Sequence, residues 1–268
     1  MRAMAEVASA VETCPECGGR GWVVAEDGGA GTARVCACRE AGRVPRLLER
    51  AAIPERYRGK NFRNFNTRHG DSGEQDQRQN AKRVCEAYVE YFLSDQEEER
   101  GLVLVGEAGV GKTHLAVSIL GELIRRYRVD GLFVDFTELI HRIQSTFDPS
   151  SPESKHQVLD PVTDAEVLVL DELGAQKPTA WVREILYLVI NARYTRRLPT
   201  IFTTNFSLGG ENRNGGDGGG RGAIALEERI GGPLVSRLHE MAYILSVSTQ
   251  DFRRDARRNR APAWLSGR

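Results

Sequence analysis

Leu102-Val103-Leu104-Val105-Gly106-Glu107-Ala108-Gly109-Val110-Gly111-Lys112-Thr113 decides how this chain folds. Four apolar residues in a row suit a strand covered on both faces. The next eight spell G-x-x-x-x-G-K-[ST], and a helix-forming stretch runs from 114 to 128. A glycine-rich loop between a buried strand and a helix turns its backbone N–H groups inward around phosphates. Gly106, Glu107, Ala108, Gly109, Val110 and Gly111 then form the cradle, Lys112 reaches the outer phosphates, and the Thr113 hydroxyl is placed to hold Mg²⁺. The stretch predicts binding of a nucleoside triphosphate.

Outward from this loop, apolar runs recur at 131–136, 166–170, 200–204 and 243–247, each read as a strand. Helical spacing covers 75–93, a helix capped by Thr137 runs to about 147, another capped by Thr179 runs to about 196, and a last one spans 223–240. Residues 148–163 are polar with three prolines and read as a loop. Cys85 falls on the apolar side of its helix and reads as core. Five apolar strands alternating with helices predict an α/β fold with a parallel five-stranded sheet and flanking helices.

The 268 residues suffice for one large domain and a small appendage. With 37 basic and 37 acidic side chains, net charge gives no general signal for nucleic acid. No apolar run approaches the roughly 20 residues of a membrane span. Residues 1–12 lack the pattern of an export signal, so a cytoplasmic protein without membrane attachment is expected. In that compartment cysteines are thiols or metal ligands rather than disulfides.

Four of the five cysteines form two close pairs, Cys14-x-x-Cys17 and Cys36-x-Cys38. Two short-range pairs of thiolates suit tetrahedral Zn²⁺, and Gly18, Gly19 and Gly21 give the first pair the backbone freedom of a metal knuckle. Between the pairs, 21–24 and 33–35 can form a small hairpin. The expectation is a structural zinc ribbon; a redox dithiol is the alternative, with no strand-helix frame after Cys17 to support it.

The third strand of the domain ends Leu170-Asp171-Glu172. Carboxylates at the C-terminal end of a buried strand face the phosphate loop, Asp171 toward the Mg²⁺ shell and Glu172 placed to polarise an attacking water. Taken alone, such a pair is as well explained by a helix cap or a solvated turn. The fourth strand ends Thr203-Thr204-Asn205, whose amide can bind the water or the γ-phosphate, or can simply end a strand. Ser236-Arg237-Leu238 offers an arginine able to reach a neighbouring subunit's nucleotide, against the bland alternative of a solvated side chain. The guanine-reading N-K-x-D of switch GTPases is absent.

These motifs, together with Ala52-Ile53-Pro54-Glu55-Arg56-Tyr57, Trp181-Val182-Arg183-Glu184, Asn191-Ala192-Arg193-Tyr194 and Pro199 to Asn205, occur in an order that resembles the DnaC/IstB branch of the AAA+ ATPases, bacterial helicase loaders and transposition ATPases. The resemblance covers about 45–255. It implies an AAA+ (ASCE P-loop) sheet with the phosphate-loop strand central, ATP as the nucleotide, Asp171 and Glu172 as Walker B, Asn205 as sensor 1 and Arg237 as a finger acting between self-associated subunits. Partners implied are single-stranded DNA and a replicative helicase or, failing that, a transposase. The organisation follows as a zinc-binding module at 1–44, a linker and lead-in segment at 45–75, the ATPase domain at 76–252 and a basic tail at 253–268. Relatives often carry an arginine shortly before the Ser-Arg-Leu; here that stretch is Gly231-Gly232-Pro233, with Arg229 nearby as a substitute. The insert at 209–222 is glycine-rich and has no assigned role. Arg253, Arg254, Arg257, Arg258 and Arg260 in the tail make either a cationic face for phosphates or a solvated terminus. Rival functions are a zinc-bearing nucleic-acid adaptor that uses ATP only as a switch, and a small-molecule kinase.

Overall fold

The computed structural model describes residues 14–25, 32–94, 100–148, 150–177, 179–208 and 225–247. At the N-terminal end, β1 (Trp22–Ala25) and β2 (Thr32–Val35) pair antiparallel as the expected hairpin. Two short helices follow, α1 (Ala37–Ala41) and α2 (Arg43–Arg50). The boundary expected between 44 and 45 falls inside α2. The lead-in segment buries Ile53, Phe62 and Phe65, and α3 (Ser72–Glu90) starts with a capping box of Asp71 and Glu74.

The apolar runs form β3 (Gly101–Val105), β4 (Gly131–Asp135), β5 (Val167–Asp171), β6 (Thr200–Thr204) and β7 (Ala242–Ser246), in the order β4-β5-β6-β3-β7 with every pairing parallel. The phosphate-loop strand β3 is interior, as expected, although β6 holds the middle place. All five residues of β3, β5 and β6 are buried, which is why β3 and the first four residues of β5 read as apolar runs, while the three threonines of β6 are buried with their hydroxyls hydrogen-bonded.

Alternate side chains feed two cores. Val103, Val105, Leu168, Leu170 and Phe202 pack under α5 (Phe136–Ser145), α6 (Lys155–Asp164), α7 (Ala180–Thr195), α8 (Leu226–Ile230) and α9 (Gly232–Met241). On the other face Leu102, Leu104, Val169, Ile201 and Leu245 pack with α2, α3 and α4 (Lys112–Tyr127). Cys85 is wholly buried in that second core.

Three local readings are corrected. Residues 148–163 are not all loop. Ser154 and Gln157 form a capping box that starts α6, Val158, Leu159 and Val162 bury its inner face, and Pro161 sits inside the helix. The first helix after β4 is capped by Asp135, which accepts from the Glu138 N–H at 3.1 Å, so Thr137 lies within the helix. The single helix expected at 223–240 is two, broken at Gly231 (φ 92°), and Pro233 starts the second. Residues 209–222 and the basic tail lie outside the described residues; Ser207 and Ala225, flanking the insert, are joined by a parallel bridge. No described helix is long and apolar enough to cross a membrane.

Candidate functional site

Helix α4 begins at the end of the glycine-rich loop. Its N-cap Gly111 has φ 106°, and a Cβ there would lie 2.7 Å from Cε2 of Phe65. Phe65 is buried and meets the His114 ring edge-on, with centroids 5.2 Å apart. His114 Nε2 is 3.0 Å from the Asn61 carbonyl oxygen. The lead-in segment is thus wedged against the loop and helps fix its shape. Burial holds His114 below the usual histidine range, assisted by the Lys60 charge and opposed by its bond to Asn61.

Lys112 is buried in this loop, and its Nζ donates to the carbonyls of Gly106 (2.8 Å) and Glu107 (2.7 Å) and to Asn205 Oδ1 (2.7 Å). The amide at the end of β6 therefore reaches the lysine of the phosphate loop. Thr113 Oγ1 donates to the Asp171 carboxylate, 3.0 Å from Oδ1 and 3.2 Å from Oδ2. Thr203 Oγ1 donates to Asp171 Oδ1 at 2.5 Å and accepts from the Glu172 N–H at 3.0 Å. Burial is the main reason the Asp171 carboxyl lies above its ordinary range; Glu172 and Asp135 add to the push, while the Thr203 and Thr113 hydroxyls resist it.

Glu172 adopts φ 58°, a left-handed conformation that costs a non-glycine residue about 1–3 kcal/mol. The surroundings hold it there. Leu173 N–H donates to the Thr203 carbonyl (2.8 Å) and Thr204 Oγ1 donates to the Leu173 carbonyl (2.8 Å). Arg229 donates through Nε to Gly174 O (2.8 Å) and through Nη2 to Ala175 O (3.0 Å), its guanidinium 4.9 Å from the Phe206 ring centroid. Arg229, the possible substitute for the missing interface arginine, is committed to the turn that carries Glu172.

These groups suit a nucleotide with its metal. A buried ammonium lies inside the glycine-rich loop, and a hydroxyl oxygen and a carboxylate lie within 3.2 Å of each other beside it. Hard oxygen donors of that kind match Mg²⁺, and the ammonium matches phosphate.

The cysteines form a separate centre. Their four Sγ atoms lie within 4.8 Å of one another, with Cys14 to Cys36 at 3.7 Å and Cys17 to Cys38 at 3.4 Å. Sulfurs on one tetrahedral Zn²⁺ at about 2.3 Å would be about 3.8 Å apart, so the donor set fits that ion. Gly18 (φ 58°), Gly19 (φ 84°) and Gly21 (φ 74°) make the turn, and the Gly21 N–H points at Cys17 Sγ from 3.2 Å. Burial alone would raise the Cys17 thiol, but the Gly21 N–H and the neighbouring sulfurs bring it to about 7.

Arg237 is not gathered with Lys112, Asp171 and Asn205. It lies on α9 against Tyr187 and Tyr194 of α7. Sequence reasoning assigned no role to Thr203, Phe65 or His114, and considered Arg229 for an interface rather than for the turn it holds. The Thr-Thr-Asn at the end of β6 was the available signal for Thr203; the other three depend on tertiary contacts.

Fold and site together define a P-loop ATP-binding protein with the AAA+ arrangement of strands. The profile described as "IstB-like ATP binding protein" matches residues 33–259, and the chain belongs to that family. It is similar to the uncharacterised protein YqaM of Bacillus subtilis, 28% identical over 223 residues, 79% of this chain and 62% of that protein. It is 34% identical over 124 residues to the replicative helicase loader DnaI of the same organism, which covers 45% of this chain and 39% of DnaI. The chain thus spans less than two thirds of the length of either relative. The crystal structure of the DnaC helicase loader superposes with a TM-score of 0.55 at 31% identity, over 72% of this chain and 99% of that one.

Proposed function

We propose that the chain hydrolyses ATP at an interface between its own subunits and acts in DNA replication as a helicase loader, with single-stranded DNA and a replicative helicase as partners, in the cytoplasm. The observation that carries this is the convergence of Lys112, Thr113, Asp171 and Asn205 through hydrogen bonds at the ends of three adjacent strands. The loader reading is supported by likeness to DnaI and to the DnaC structure.

In this reading Lys112 neutralises the outer phosphates of the substrate and Asn205 orients the γ-phosphate or the water beside it. Thr113 and Asp171 would hold Mg²⁺, which supplies charge neutralisation when bound. Glu172, on its clamped turn, accepts the proton of the attacking water. Arg237 is contributed to the neighbouring subunit's site. The cysteine module binds Zn²⁺ and has a structural role.

Steady-state ATP hydrolysis, measured with and without single-stranded DNA, tests the proposal. Turnover that DNA alters supports it; no turnover in either condition would leave an adaptor that uses ATP as a switch. A second reading, a transposition helper, is favoured by the IstB-like family match. A gene lying beside a transposase would support the helper over the loader.

A further inference from the structure

Arg237 is held in a way that its proposed role does not by itself require. Tyr187 and Tyr194 are seven residues apart on α7, so they stand on one face of that helix two turns from each other. The Arg237 guanidinium lies 5.1 Å from the Tyr187 ring centroid and 5.8 Å from that of Tyr194. Its Nη1 donates to the Pro233 carbonyl at 3.1 Å, and its Nη2 is 3.4 Å from the Tyr187 hydroxyl. Tyr194 is itself fixed, donating its hydroxyl proton to Glu240 Oε1 at 2.7 Å, and Glu240 is three residues beyond Arg237 on α9.

The five N–H groups of this arginine can be accounted for one by one. One on Nη1 and one on Nη2 are engaged as above. Nε is buried and has no acceptor among the described residues. Among the described residues one N–H remains on each terminal nitrogen, the pair that a guanidinium fork presents to phosphate oxygens. Tyr187 is 43% exposed, so the fork stands at the surface rather than within the core.

The geometry points to Tyr187 and Tyr194 as positioning residues that hold the half-buried Arg237 for use on the nucleotide of an adjoining copy of this chain. This rests on the interface reading of Arg237 given above. The rings restrict the rotamers of a long side chain before the subunits meet, so less freedom is lost when the fork engages phosphate. Tyr187 stacks on the guanidinium, whereas Tyr194, tied to Glu240, keeps α7 and α9 in register.

Mixed subunits test this directly. A Lys112→Ala chain lacks a working nucleotide site but keeps the arginine, and an Arg237→Ala chain does the reverse. Mixing the two should restore ATP hydrolysis at shared sites. Adding Tyr187→Ala to the Lys112→Ala chain should lower the restored kcat about tenfold or more, as misplacement of a catalytic group does. The same substitution placed in the Arg237→Ala chain should leave the restored rate unchanged. Tyr187→Phe, which keeps the stacking ring, should stay within roughly twofold of the parent mixture. A Tyr187→Ala effect equal in either partner would show a general structural role and overturn the proposal, as would undiminished restoration. If the parent mixture restores nothing, the interface reading fails and the positioning role falls with it. Circular dichroism melting of each variant confirms that folded chains are compared.

Discussion

The phosphate loop and the cysteine knuckle are both glycine-rich turns whose side chains suit a charged ligand, but they are supported by different means. The loop stands on β3, a wholly buried strand inside a five-stranded sheet, and is wedged in place by Phe65. The knuckle has a two-stranded hairpin and three buried cysteines, against which, among the described residues, the partly buried apolar residues Val23 and Cys38 pack. An isolated hairpin of that size is marginal in water. The loop should therefore keep its shape without its ligand, whereas the knuckle should depend on its own. Preformed sites come from packing; metal-dependent sites substitute coordination for a core.

Removing the metal is the strongest way to break this comparison. Structural zinc sites in small peptides contribute about 10–16 kcal/mol. Chelation, or Cys14→Ser or Cys36→Ser, is expected to unfold residues 14–36 while ATP affinity stays unchanged. Hydrogen exchange with metal analysis checks this; about one Zn²⁺ per chain is expected before chelation. If ATP binding fell together with the metal, the two regions would not be independent.

Arg193 tests the support beneath the loop. It is fully buried and donates to Thr200 Oγ1 and to the carbonyls of Val162, Ala165 and Pro199, pinning α6, α7 and the start of β6 together. Arg193→Met removes the donor from those buried neutral acceptors, with an expected loss of about 1–3 kcal/mol in denaturant unfolding of the sheet domain and none of the zinc.

Lys112→Ala acts on the ligand instead. It should weaken ATP binding by about 2–5 kcal/mol in calorimetry. The same variant should retain its zinc and its sheet.

The smallest effect is that of pH on His114. Its folded-state value lies below the usual histidine range, so the unfolded chain binds the proton more readily. Stability is unaffected by this residue well above that range and declines as pH falls through about 6.5. His114→Gln should flatten that part of the profile of melting temperature against pH. An unchanged slope would remove His114 as the cause.

The sheet was legible because β3 and most of β5 are apolar runs buried on both faces, and because the β-branched and aromatic residues of β6 favour a strand although three of them are threonines. The nucleotide residues were legible because the phosphate loop, the acidic pair and Asn205 each end an apolar strand. Helix α6 was hidden by Pro161, whose effect on the pattern outweighed the capping signal at Ser154 and Gln157. Gly231 and Pro233 did announce a helix break, but the spacing on either side ran on as if unbroken. The bonding roles of Arg229 and Arg193 could not be found from local pattern. An arginine that bonds carbonyls of a distant turn looks in sequence like any solvated arginine, and only the tertiary fold supplies the acceptors.

The central claim is that the clamped turn after β5 presents Glu172 for hydrolysis at a site that Lys112 and Thr113 build for binding. Glu172→Gln separates the two, because it removes the proton acceptor and leaves the loop intact. Measured side by side, ATP affinity of this variant should match the parent while its turnover falls about 10²–10⁴-fold. Turnover equal to the parent's would contradict the account.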